Sequence, residues 1–336
     1  MSSDLNKTLG GFNELLFAIP IFGGSGDKYT DIHPWHHIFF EAEQDLDSAV
    51  LLLLMGFYKD SFRSLRSFLE LYIFALFNFV NEDKDNFQSW LNGKIGTPRL
   101  SELLKTLSKK NPYIGTLNEK LQWNTEVESL YRELSGFMHT RGAQYTHTSL
   151  RNSNLTGFSE VGIKTGTEFL LKAVRLAGMG FAANFPMSFQ SLPLFDKFAF
   201  NQPAGGFLEE DQVERIKGIF QNDVSQVLLA ISLSNDDANS LAEAIRAMPD
   251  LSEKEVFESL KKTLESEGFE RSKKEILQMI KDGKVNEAFS YAQAIQRAMM
   301  RTMTMVLFNP FYESFANPKD GGIGVDPPAT RKGRSP

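Results

Sequence analysis

Apolar residues recur in alternating steps of three and four at Trp35, Phe39, Ala42, Leu46, Ala49, Leu53 and Phe57. That stripe predicts an amphipathic helix. It should open near Pro34, with Asp31 as its cap. Glu41, Glu43, Asp45 and Asp47 crowd the early turns, where the positive end of the helix dipole favours acids. A second helix is predicted over 59–80. It is apolar on nearly every side from Phe68 onward and closes in the polar run Asn81-Glu-Asp-Lys-Asp85. A shorter helix over 100–107 should stop at Asn111-Pro112. A fourth should start at Asn124 or Thr125, where Thr125 and Glu128 have capping-box spacing, and end at Gly142. Residues 143–160, rich in Thr, Ser and Asn, read as loop. A fifth helix, 165–184, carries small residues (Ala173, Ala177, Gly178, Gly180) that permit close helix contact.

No segment alternates with a period of two, so the expected class is all-α. Three prolines and Gly205-Gly206 mark a linker at 186–207. It divides a helical bundle at 35–185 from a second helical region at 208–316, with helices over 209–231, 236–248, 252–267, 271–282 and 285–309. Residues 1–34 read as a flexible leader. Its Gly23, Gly24 and Gly26 lack the flanking strand and helix of a phosphate loop. Residues 317–336 read as a disordered tail, in which Arg331, Lys332 and Arg334 could touch a phosphate backbone.

Composition narrows the chemistry. The 336 residues include no cysteine, which excludes disulfides, thiolate nucleophiles and thiolate metal sites. Net charge is −6, unsuited to coating DNA in bulk, though a local basic patch can still hold nucleic acid. Phe is over-represented, at 29 residues. That apolar surface must be buried or must face a partner. The apolar runs at 49–58 and 71–80 are half the length of a membrane span, which needs about 20 residues. With no apolar stretch in residues 1–10, no signal peptide and no membrane association are expected, and the expected location is the cytoplasm.

The candidate chemistry lies on the second and fourth helices. From Ser67 to Val80 the only charged residue is Glu70. If buried it needs a partner, and Arg66, four residues earlier, shares its face. Arg63 is a further candidate. On the fourth helix Glu128, Arg132, Ser135 and His139 fall at steps of four, three and four, while Val127, Tyr131, Leu134 and Met138 form the other stripe. Arg132 and His139, two turns apart, nearly eclipse one another. Gly136 in the interior suggests close approach of another backbone. Histidine can move a proton near neutral pH, and arginine can grip a phosphate through two parallel hydrogen bonds. Such a pair suits metal-independent RNA cleavage with the ribose 2′-hydroxyl as nucleophile. Two pairs facing each other across a symmetric dimer would make a fuller site.

The stretches Phe62-Arg-Ser-Leu-Arg-Ser-Phe-Leu-Glu70 and Tyr131-Arg-Glu-Leu-Ser-Gly-Phe-Met-His139 resemble the central helices of HEPN (higher eukaryotes and prokaryotes nucleotide-binding) proteins. The resemblance covers about residues 35–185. It implies a bundle of four or five helices, often dimeric, and in many members an RNase of toxin–antitoxin, CRISPR-linked or phage-defence systems. The family signature is an Arg, four to six residues, then His. Arg132, six residues, then His139 matches its longest form. The resemblance makes Arg132 and His139 the catalytic candidates, with Arg66, Glu70 and Ser135 as residues that would position them. Glu133 departs from the small polar residue, often Asn, that commonly follows the Arg in active members. A largely uncharacterised branch has Arg-x-x-x-Glu on the second helix and Leu-Ser-x-x-x-His on the fourth. In that branch Arg66, Glu70 and His139 would form one buried network. A second match, Arg141 to His147, straddles Gly142 and is discounted.

Other readings stay open. His33 and His37 have metal-ligand spacing, but His33 precedes Pro34 and falls outside the helix, so no metal and no cofactor are expected. The Met-rich segment 285–308 offers core packing or a groove for a protein partner through the C-terminal helices. The alternative to an RNase is thus a non-catalytic interaction or dimerisation subunit of a larger complex. A weaker third reading is a sensor holding a nucleotide between the two halves.

Overall fold

The computed structural model describes residues 8–12, 36–81, 83–151, 158–199, 206–252 and a few positions between 254 and 282. The side chains of His36, His37, Lys84 and Arg151 are not among those described. His33, the tail and the predicted helix over 285–309 lie outside the described residues. Within them the protein is all-α, as the pattern predicts; the β pairing they contain is a single bridge between Ser191 and Leu208. The chain forms two compact units, Met1–Asp83 with Pro98–Asp250, and Lys84–Thr97 with Leu251–Pro336.

In the first unit α1 (His36–Leu54) and α2 (Tyr58–Asn81) form an antiparallel hairpin. The second unit contributes α3 (Lys84–Leu91). Its Phe87 and Trp90 rings stack, and the Trp90 indole N–H donates to Thr97 Oγ1 at 3.0 Å. The first unit resumes with α4 (Leu100–Lys110), α5 (Pro112–Leu121), α6 (Trp123–His139), the short α7 (His147–Arg151) and α8 (Glu160–Asn184). It ends with α9 (Leu194–Phe198), α10 (Glu210–Lys217), α11 (Asn222–Leu233) and α12 (Asp236–Ala247).

The all-round apolar character of α2 has a simple cause: it packs against α1, α4, α6 and α8 at once. Phe62, Leu65, Phe68, Leu69, Tyr72, Ile73 and Leu76 are all sealed from solvent, each fully buried large side chain contributing about 1.5–3 kcal/mol. Part of the phenylalanine surplus is used here. Phe12 meets Phe68 edge-to-face, Phe39 meets Tyr72 and Phe181, and Phe62 meets Phe137 and Phe169.

Several local readings are corrected. Helix α4 does stop ahead of Asn111-Pro112, as predicted, but Pro112 also begins α5, a helix the pattern does not predict. The Asn111 side chain accepts from the backbone N–H groups of Tyr113 and Ile114, and Pro112 takes the first helical position, where its missing N–H costs nothing. Helix α6 starts at Trp123, two residues before the predicted capping box, because Gln122 takes a left-handed turn (φ 50°) that ends α5 and opens α6. It stops at His139, three residues before Gly142. Thr140 adopts φ 49°, with its N–H returning to Gly136 and Phe137 carbonyls. A β-branched residue is strained there; the Lys59 ammonium, which donates to Thr140 Oγ1, helps hold it.

The described part of the Pro-rich stretch 186–207 belongs to the first unit. It holds a 3-10 turn at 186–189 and α9, and buries Leu192, Leu194 and Phe207 against Ala238 and Ala242. The predicted helix 209–231 is two helices, broken around Gly218. Helix α8 begins at Glu160, five residues early, capped by Ser159 Oγ on the N–H of Gly162. It meets bulky neighbours at its glycines: a methyl on Gly180 would lie 2.5 Å from Trp123 Cζ2, and one on Gly162 would strike the Tyr58 ring. Both neighbours also bind its backbone. Trp123 Nε1–H donates to the Leu176 carbonyl at 2.9 Å, and the Ser159 N–H donates to Tyr58 Oη at 2.7 Å.

Candidate functional site

Helix α6 presents two polar clusters on different faces. Its buried stripe is Trp123, Val127, Leu130, Leu134 and Phe137, at steps of four, three, four and three. Beside that stripe, toward α2, lie Tyr131, Ser135 and Met138, which close around Arg66. Arg66 Nε donates to Ser135 Oγ at 3.0 Å, and Nη2 donates to Tyr131 Oη. Nη1 faces Met138 Sδ at 3.8 Å and Glu70 Oε2 at 3.4 Å. The guanidinium carbon sits 4.4 Å from the centre of the Tyr131 ring, within cation–π range. Ser135 itself donates to the Tyr131 carbonyl at 2.7 Å.

Burial pushes the Tyr131 phenol above its ordinary pKa, the Glu70 carboxylate adds to the rise by charge and by hydrogen bonding, and Arg66 opposes it. Arg66 and Glu70 keep 20% and 24% of their side-chain surface exposed, so the pair is partly screened rather than sealed. The ion pair expected from the isolation of Glu70 is therefore present, with a tyrosine added to it. Spacing alone places Tyr131 and Met138 on an apolar stripe and gives no sign of their polar contacts. Arg63, the other candidate partner, pairs with Asp60 at 2.7 Å on the surface.

The second cluster faces solvent. Arg132 and His139 are both exposed, two turns apart along the same helix. Among the described residues the side chain of neither has a hydrogen-bond or ion-pair partner, Glu128 included. No side-chain hydrogen bond or ion pair among the described residues joins Arg66, Glu70 or Ser135 to Arg132 or His139. Ser135, which spacing aligns with them, is buried and bound to Arg66. Of the alternative network, Arg66 and Glu70 meet, while His139 stands outside.

The C-terminal end of α6 is held from below. Phe137 packs edge-to-face on Phe62 and Tyr145 at ring separations of 4.8 and 5.0 Å. Gly136 is pressed against the Tyr145 ring, with 2.5 Å to a Cβ placed on it. Gly136 thus admits a side chain from the loop after the helix. Lys59, 7% exposed, reaches Thr140 from the start of α2, a contact no sequence spacing announces.

Among the described residues no group of three His, Asp or Glu side chains could hold a metal ion, and no helix is long and apolar enough to cross a membrane. Comparison with family models, curated proteins and solved structures finds no match for this chain.

Proposed function

We propose that this is a HEPN-like protein acting on RNA in the cytoplasm, a metal-independent endoribonuclease of the defence or toxin type. The observation that carries this reading is the exposure of Arg132 and His139 on one flank of α6, neither engaged within the described residues. An arginine with an unoccupied fork can clamp a phosphate and neutralise charge that grows on its oxygens. An exposed histidine beside it can exchange protons with substrate.

In the proposed reaction the ribose 2′-oxygen attacks the adjacent phosphorus as the bond to the 5′-oxygen breaks. The products are a 2′,3′-cyclic phosphate and a 5′-hydroxyl. One imidazole takes the 2′ proton and another returns a proton to the leaving oxygen. Two such roles are supplied when two copies bring their Arg132–His139 pairs together. The Arg66–Tyr131–Ser135 cluster fixes the pitch of α6 and so the direction in which the pair points.

The test is RNA cleavage in EDTA by the wild-type chain, Arg132→Ala and His139→Ala. Cleavage by the wild type alone supports the reading. Equal cleavage by all three, or none by any, removes it.

A second reading, a non-catalytic interaction subunit, is favoured by a separate observation. Leu51, Leu54 and Met55, at the end of α1, are 61%, 43% and 60% exposed, an apolar edge suited to a protein partner. That reading expects an inert protein toward RNA whose self-association or partner binding weakens in Leu51→Glu.

A further inference from the structure

A cleft of about 360 Å³ lies among the 3-10 turn at 186–189, α10, α11 and α12, within the size range of small-ligand sites. No residue of α6 lines it, so it stands apart from the RNA reading. Its inner wall holds Gln190, 5% exposed. The Gln190 amide is oriented without ambiguity. Nε2 donates to the Ser232 carbonyl at 3.0 Å and to Asn239 Oδ1 at 2.9 Å. Asn239 is oriented in turn by its Nδ2, which donates to the Leu233 carbonyl at 2.8 Å. Both Nε2 hydrogens are therefore spent, and a flip would set carbonyl oxygen against carbonyl oxygen. The atom left over is Oε1. Among the described residues no donor reaches it, and it is not one of their sealed, unpaired side-chain atoms. Since Gln190 lines the cleft, the cleft is where a donor can come from. An amide oxygen that opens to the cleft, with its own Nε2 hydrogens spent on Ser232 and Asn239, is positioned to accept a ligand N–H in place of water.

The charges at the rim are arranged for both signs. Glu243 and Arg246 lie three apart on α12, a spacing at which opposite charges commonly pair. Both are exposed, and no ion pair joins them. Arg246 Nη2 instead donates to the Ser191 carbonyl at 3.1 Å, leaving the rest of its fork available. Lys217 sits nearby, tied to Glu214 at 2.7 Å. A bare anion would meet the Glu243 carboxylate, and a bare cation would meet Arg246 and Lys217. A ligand carrying both charges satisfies both. The remaining wall is apolar, from Val213, Leu229 and Leu233.

We propose that this cleft binds a free α-amino acid with an apolar side chain. Its ammonium donates to Gln190 Oε1 and faces Glu243. Its carboxylate is held by Arg246, with Lys217 adding positive charge. Its side chain lies on Leu229 and Leu233. Binding there would make the protein responsive to amino-acid supply, whatever the exposed pair on α6 does.

The experiment is isothermal titration of the full chain with L-leucine and L-phenylalanine. The comparators are 3-phenylpropionate, phenethylamine and inorganic phosphate. At least one amino acid should bind saturably and about tenfold or more tighter than any comparator, as expected when a charged hydrogen-bond partner is removed. Glu243→Ala and Arg246→Ala, both at exposed positions, should each weaken that amino acid about fivefold or more, while 3-phenylpropionate should be no weaker on Glu243→Ala. No binding of either amino acid up to about 10 mM overturns the proposal. So does a comparator that binds equally well, or unchanged affinity in either variant.

Discussion

On one side of α6, Tyr131, Ser135, Met138 and Glu70 surround Arg66 and engage each of its guanidinium nitrogens. On the adjoining, solvent-facing flank Arg132 is exposed and its side chain holds nothing among the described residues. The same residue type thus serves opposite ends within one turn of contact. An arginine whose three nitrogens are all engaged by its own chain joins two helices and has little left for a ligand. One whose donors are all idle adds little to stability and keeps its full capacity for a phosphate. Stability and activity should therefore separate cleanly between the two faces.

The largest effect expected is on activity at the outer face. Arg132→Ala and His139→Ala should each lower RNA cleavage by about 100-fold or more, while thermal melts move by no more than about 0.5 kcal/mol. A melt that falls along with activity would break the contrast. The inner face should do the reverse. Arg66→Met should destabilise the fold by about 2–4 kcal/mol in urea titration, because it removes the donors to Ser135 and Tyr131 and strands Glu70. An unchanged urea midpoint would mean the cluster is incidental. Glu70→Ala should cost less, about 1 kcal/mol, since its carboxylate is a quarter exposed and 3.4 Å from Arg66; a loss as large as that of Arg66→Met would reverse their ranking.

The smallest effect is a pH dependence. The folded-state pKa of Tyr131 lies above its ordinary value near 10.0, so its share of stability is fully present below about pH 10 and is lost as pH rises through the folded pKa. Tyr131→Phe should therefore lose less stability than the wild type between about pH 9 and 11. Parallel decline in the two proteins would remove Tyr131 from the cluster's energetics.

How much of this the sequence carries differs by element. Helices α2 and α8 are legible because long apolar stripes outweigh local exceptions. The adjoining pair α4 and α5 reads as a single short helix because a proline looks like a stop; only Asn111 just ahead of it, a good cap, signals a start. The inner cluster is half legible. A lone carboxylate among Phe68, Leu69 and Leu71 demands a cation, and Arg66 is four residues away. Tyr131 escapes notice because an aromatic ring with a polar tip satisfies an apolar stripe and a hydrogen bond together. The outer pair is visible as spacing, but spacing leaves its exposure undecided: Ser135 lies between Arg132 and His139 in the same register and turns inward. The cleft at Gln190 has no sequence signal, being assembled from segments up to 57 positions apart.

The two glycine contacts of α8 carry a last consequence. Gly162 seats the ring of Tyr58, the first residue of α2, and Gly180 seats the indole of Trp123, the first residue of α6. These notches lie eighteen residues apart, about 27 Å along the axis, and each is latched by a hydrogen bond to the α8 backbone. The helix therefore works as a keyed shaft, indexing where two others begin. Lengthening it by one residue between the notches would rotate one keyway by roughly 100° relative to the other, so this span should tolerate changes of residue far better than changes of length.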